Sequence, residues 1–90
     1  MKLKIEVTAE HIREGTPSDT SSCAVALAIK QALPKVYEVE VDDMISFKDE
    51  EGYRNTAELS DEVKKFMDRF DNNEPVEPIS FETDAYTREP

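Results

Sequence analysis

HIREGTPSDTSSCAVALAIKQAL, residues 11–33, holds the only histidine, the only cysteine and the most apolar run of the chain, behind a loop of small polar residues. A cysteine at a helix start with a histidine nearby describes a reactive thiol, whereas the same residues at the head of a core helix describe packing. From about 22 to 33 the apolar positions Ala24, Val25, Ala26, Leu27, Ala28, Ile29, Ala32 and Leu33 run almost all round the helix, with Lys30 and Gln31 as the polar interruption. So narrow a polar stripe places the helix in the middle of a domain. Its alanines allow close approach to a sheet, and Pro34 ends it.

Upstream, KLKIEV at 2–7 puts Leu3, Ile5 and Val7 on one face and Lys2, Lys4 and Glu6 on the other, the period of a half-buried strand. Thr8 then caps a short helical turn, AEHIRE, and Gly15 stands where a helix C-terminus favours φ > 0. TPSDTSS at 16–22 is a loop whose Asp19, Ser21 or Ser22 can cap the next helix.

Downstream, Tyr37, Val39 and Val41 alternate with Glu38, Glu40 and Asp42 as a second strand, and MISF at 44–47 forms a third with Ile45 and Phe47 inward. KDEEG is a turn with Gly52 at its bend, leading to a shorter strand near YRNTAEL. Ser60, Asp61 and Glu62 suit a helix start, and Val63, Phe66, Met67 and Phe70 follow at i, i+3, i+4 and i+7. NNEPVEP stops that helix; ISFETD, 79–84, is a closing strand and 85–90 a polar tail. The expected fold is a single α+β domain over 1–84, a mostly antiparallel sheet of four or five strands carrying two main helices, in the order β-α-β-β-(β)-α-β.

Composition narrows the function. Ninety residues with 21 acidic and 11 basic side chains carry a net charge of −10, which repels phosphate backbones and anionic membranes. A lone cysteine forms no internal disulfide, the start MKLKIEVTAE alternates instead of offering a signal peptide's apolar stretch, and no apolar run approaches a membrane span. The expected compartment is the cytoplasm.

Candidate chemistry is sparse. His11 and Cys23 could form a thiol nucleophile pair, but no third group marks a base, and free cysteine usually behaves as a small buried hydrophobe. Zinc at that pair would need further soft ligands that the chain lacks. GTPSDTSS has one glycine and no adjacent lysine, unlike a P-loop. DDMISFKDEEG and FDNNEPVE could gather oxygens around a hard cation but miss the EF-hand spacing, and paired carboxylates for glycoside hydrolysis lack an aromatic platform. No catalytic residue, metal or cofactor is expected.

The remaining signal is negative charge. On a strand over 36–42, Glu38, Glu40 and Asp42 would share a face at ~6.5–7 Å intervals, a spacing similar to that of successive phosphates. Asp43, Asp49, Glu50 and Glu51 continue the acidic run, and a solvated face that keeps a small domain soluble is the plain alternative.

HIREG, the Ser/Thr/Asp-rich loop and CAVALAIKQAL resemble the HI-x-x-G…C-x-x-A-x-A core of a group of small uncharacterised phage and bacterial proteins; MISF at 44–47 and RFDNNEPVEPISFE at 69–82 match its further motifs. Ala24 stands where that group often has proline. The resemblance implies a phage-borne accessory or anti-defence protein, and anti-CRISPR proteins are similar in size and acidity. The expected function is therefore non-enzymatic: Glu38, Glu40, Asp42, Asp43, Asp49, Glu50 and Glu51 occupy a basic, nucleic-acid-binding surface of a host protein by mimicry. The alternatives are an interaction module joining through an edge strand or through Tyr53, Phe70 or Tyr86, and then a Cys23-dependent enzyme.

Overall fold

The computed structural model describes residues 1–88. Strands β1 (Lys2–Val7), β2 (Tyr37–Val41), β3 (Met44–Lys48), β4 (Arg54–Glu58) and β5 (Ile79–Arg88) form one antiparallel sheet in the order β1-β5-β4-β3-β2. Helices α1 (Ala9–Glu14) and α2 (Ala24–Ala32) follow β1, and α3 (Asp61–Asp71) links β4 to β5. The α+β fold and its element order are those the sequence leads one to expect.

The core is built around α2. Ala24, Val25, Ala26, Ala28 and Ile29 are buried, and the helix packs against both β1 and β2, the two outermost strands of the sheet. Touching both edges from one helix requires the sheet to curl around it. Strand β5 makes the curl possible by serving two neighbours in succession: Ile79–Asp84 pairs with β1, and Ala85–Arg88 pairs with β4. Leu3, Ile5 and Val7 on β1 and Ile45 and Phe47 on β3 are at most 1% exposed. Burying side chains of this kind contributes ~1.5–3 kcal/mol each. Helix α3 adds Val63, Phe66 and Phe70, and its cap is Ser60, whose Oγ accepts from the Val63 N–H at 3.3 Å.

Four local expectations change. Strand β5 continues to Arg88, so residues 85–88 are sheet; positions 89–90 of the expected tail lie outside the described residues. Strand β2 is irregular between Tyr37 and Glu40, with Glu38 at φ +51°, and the resulting shift turns Tyr37 outward to 46% exposure. Asp19 bonds its own turn, accepting from the N–H groups of Ser21 and Ser22, while Cys23 occupies the N-cap of α2 without a side-chain cap bond.

Gly15 is the fourth. Its φ of −69° and ψ of 152° are open to any residue, so left-handed freedom is not why glycine stands there. A Cβ at this position would meet the Ala24 N at 2.7 Å and the His11 carbonyl oxygen at 2.9 Å. Gly15 lets the end of α1 touch the start of α2. Gly52, by contrast, has φ +86°, and a Cβ there would meet only ordinary contact, with the Tyr37 hydroxyl at 3.6 Å.

Gly15→Ala is therefore expected to lower unfolding free energy by about 1–3 kcal/mol, the usual cost of forcing extra volume into a packed site. Urea unfolding followed by circular dichroism checks it. An unchanged or raised midpoint, the ordinary effect of replacing glycine at a permissive φ and ψ, would contradict the close-approach account.

Candidate functional site

The His11–Cys23 region is a packing junction. His11 is 7% exposed; its Nδ1 accepts from the Thr8 N–H at 3.0 Å, and its Nε2 lies in hydrogen-bond contact with the Gln31 Oε1. Because Nδ1 accepts and a side-chain carbonyl faces Nε2, the ring is the tautomer that donates from Nε2. His11 thus completes the capping box of α1 and ties that helix to α2. Cys23 is 4% exposed. Burial raises the thiol pKa above its ordinary value, N–H groups of Ala26 and Val25 at the helix start offset part of this, and the Asp71 carboxylate adds to the rise. These influences together keep the sulfur protonated, the opposite of an activated nucleophile.

The loop from 16 to 22 uses its own donors. The Thr16 N–H goes to the Ser22 carbonyl at 2.8 Å, the Ser18 N–H to the Asp71 Oδ1 at 2.9 Å, and those of Ser21 and Ser22 to Asp19. Its Thr20 carbonyl accepts from the Val41 N–H at 2.8 Å, which closes part of the outer edge of β2. Four of the loop's backbone donors are thus taken up within the fold.

The seven acidic residues singled out in the sequence do not form one patch. Asp42 and Asp43 sit in the β2–β3 turn, whereas Asp49, Glu50 and Glu51 sit in the β3–β4 turn at the other end of β3. Six residues of extended chain from Asp43 to Asp49 separate the groups by roughly 20 Å. Glu38 is neutralised: its Oε2 lies 3.1 Å from the Lys48 Nζ and 3.5 Å from an Arg54 guanidinium nitrogen. Glu50 lies 3.5 Å from Lys35. Asp49 is a turn-forming residue, accepting from the Asn55 Nδ2 at 3.1 Å and from the N–H groups of Glu51 and Tyr53 at 3.0 Å. The Asn55 amide above all, and then these backbone groups, hold its carboxyl below the usual carboxylate value. Asn55 itself is buried and accepts from the Thr87 Oγ1 at 2.9 Å, so it fastens the turn to β5.

The register creates a different arrangement on the solvent face of the sheet. Met44 is opposite Glu58, and the β4–β5 register continued by one step sets Asp84 beside Glu58. With Asp42 and Asp43 in the adjoining turn, one end of the face carries an acidic row in which Asp42, Asp43, Glu58 and Asp84 have no ion-pair partner among the described residues. Across the middle run Glu40, Ser46, Thr56 and Tyr86. At the other end Lys48, Arg54 and Arg88 are direct cross-strand partners. Four residues of strand separate the outer rows by about 13 Å. Nothing in the local sequence places Glu58 or Asp84 with the 42–43 turn; only strand order and register do. Of the aromatic residues expected to mediate contacts, Tyr53 and Tyr86 are exposed, and Phe70 is buried with its ring stacked on Phe66 at a centroid distance of 6.3 Å.

No helix is long and apolar enough to cross a membrane among the described residues. Comparisons with protein families, with curated proteins and with solved structures return no match.

Cys23 is expected to react with a thiol reagent at neutral pH roughly a hundredfold or more slowly in the folded chain than in denaturant, because access requires local opening. Ellman's reagent with and without urea makes the measurement. Labelling that is already fast under native conditions would restore the reactive reading of the 11–33 stretch.

Proposed function

We propose that this chain is a non-enzymatic binding protein whose acidic sheet end, Asp42, Asp43, Glu58 and Asp84 with Glu40 beside them, occupies a basic, nucleic-acid-binding surface of a partner protein. The observation that carries the reading is the row itself: Glu58 and Asp84 on neighbouring strands, about 5 Å apart across the sheet, with Asp42 and Asp43 in the adjoining turn, none of them ion-paired among the described residues, while Lys2, opposite Asp84 on β1, is paired with Glu82 at 3.3 Å. Strands fix the spacing, so little entropy is lost in presenting the charges. The cationic row does not cancel it, since ~13 Å exceeds the screening length of ~8 Å at physiological salt. Asp49, Glu50 and Glu51 stand outside this surface, and Glu38 pairs with Lys48 and Arg54 of the cationic row.

A mimic of this kind matches a phage-encoded inhibitor of a host defence protein acting in the host cytoplasm, the role that the resemblance to phage proteins and the acidity in common with anti-CRISPR proteins imply. Steering by opposite charge would speed encounter with a basic groove, and affinity would fall with added salt.

Capture from host lysate on the immobilised chain, at low salt and at about 1 M where the screening length falls to ~3 Å, tests the proposal. The expected result is a captured protein released by salt, not retained by the Glu58→Lys/Asp84→Lys variant, and displaced from its own nucleic acid when the wild-type chain is added. Retention that survives salt and charge reversal would contradict it, as would a captured protein that still binds nucleic acid in the presence of excess chain.

A further inference from the structure

The two edges of the sheet are built differently. Strand β2 is irregular at Glu38, and its Val41 N–H is bonded to the Thr20 carbonyl. Strand β1 is regular over its whole length. Met1 and Ala85 exchange both backbone hydrogen bonds, at 2.8 and 2.7 Å. In an antiparallel ladder, alternate residues face the partner strand, so Leu3, Ile5 and Val7 point their N–H and C=O groups at β5, and Lys2, Lys4 and Glu6 point theirs outward. The next outward N–H, that of Thr8, is taken by the His11 ring. An open backbone edge therefore runs from Lys2 to Glu6. Beside it lies a groove of about 340 Å³ lined by Lys4, Glu6, Thr8, His11 and, from α2, Ala28, Gln31 and Ala32. The alanines offer a low floor on which another backbone can approach.

From this edge we infer that a second copy of the chain adds its own β1 antiparallel to β1 about a two-fold axis through Ile5. Charge selects the occupant and the register. With Ile5 opposite Ile5 of the second copy, Lys4 stands opposite Glu6 of that copy and Glu6 opposite its Lys4, while Leu3 and Val7 pair on the core side. Each Lys4/Glu6 pair exchanges both of its backbone hydrogen bonds, because these are the residues whose polar groups face outward. Shifting the register by one residue would invert every side chain, and shifting it by two would set Lys4 against Lys4. The two-fold register is thus self-complementary in charge, apolar matching and hydrogen bonding, as an isologous interface requires. It joins two sheets into one continuous sheet and leaves uncovered the acidic row of each copy, which starts at Asp84 on the strand next to β1 and runs away from the edge. With a net charge of −10 on each chain, added salt screens mutual repulsion and favours this dimer. That is opposite to the salt response of the proposed partner complex, so the two interactions are separable.

Sedimentation equilibrium over a range of chain concentrations, with circular dichroism to confirm folding, is the test. Wild-type chain is expected to dimerise more strongly as salt rises. Lys4→Glu and Glu6→Lys are each expected to weaken the dimer about tenfold, since each turns both attractive pairs into like-charge pairs. The double variant K4E/E6K recreates the pairs in reverse and is expected to restore it. A wild-type chain that remains monomeric at every concentration overturns the inference, as does a dimer unaffected by either single substitution or one that the double variant fails to rescue.

Discussion

Helix α2 in contact with both outermost strands is the constraint from which the rest follows. An antiparallel sheet can leave one face in water, but this sheet has its two edges bound to the same helix, so it wraps the helix and turns its other face wholly outward. Small side chains make the wrap possible. Ala24, Ala26 and Ala28 let backbones approach, and Gly15 carries the same economy into the α1–α2 corner, where even a methyl group would collide with Ala24. Cys23 belongs with these residues as a small apolar side chain at the point where the helix enters the core.

An outward face on so charged a chain must hold many ionic groups, and cross-strand register decides their neighbours. The register gathers Lys48, Arg54 and Arg88 side by side, an arrangement that repels unless an anion is supplied. Glu38 supplies it by adopting a left-handed φ of +51°, a conformation costing on the order of 1–2 kcal/mol for a residue with a Cβ, from which one carboxylate oxygen reaches both Lys48 and Arg54. The acidic row receives no such counterion from the described residues. This segregation of an acidic end without ion pairs from a cationic end is the physical basis of the proposed function.

Much of the fold was legible because it rests on local periodicity. The alternation of Leu3, Ile5 and Val7, the spacing of Val63, Phe66 and Phe70, the caps Thr8 and Ser60 and the bend at Gly52 are all short-range signals, and all appear where the sequence puts them. What escaped depends on contacts distant along the chain. The irregularity at Glu38 answers to two cations on β3 and β4, the extension of β5 to Arg88 answers to an open edge of β4, and Gly15 answers to the backbone of Ala24. The acidic site shifted for the same reason. Counting carboxylates along the chain joins 42–43 to 49–51, while folding sends those turns to opposite ends of β3 and brings in Glu58 and Asp84 from other strands. Asn55, the buried hub between Asp49 and Thr87, carries no local signal beyond its place in a strand.

Segregation of charge on the sheet face is the claim on which the functional account stands, and it can be measured on the protein alone. Amide proton relaxation enhancement by a cationic and by an anionic paramagnetic cosolute, compared residue by residue at low salt, reports the local potential. The account predicts that the cationic probe acts most strongly at residues 42–44, 58 and 84 and that the anionic probe shows its relative gain at 48, 54 and 88. Equal ratios of the two effects along β3, β4 and β5 would mean that the face has no acidic end, and would contradict it.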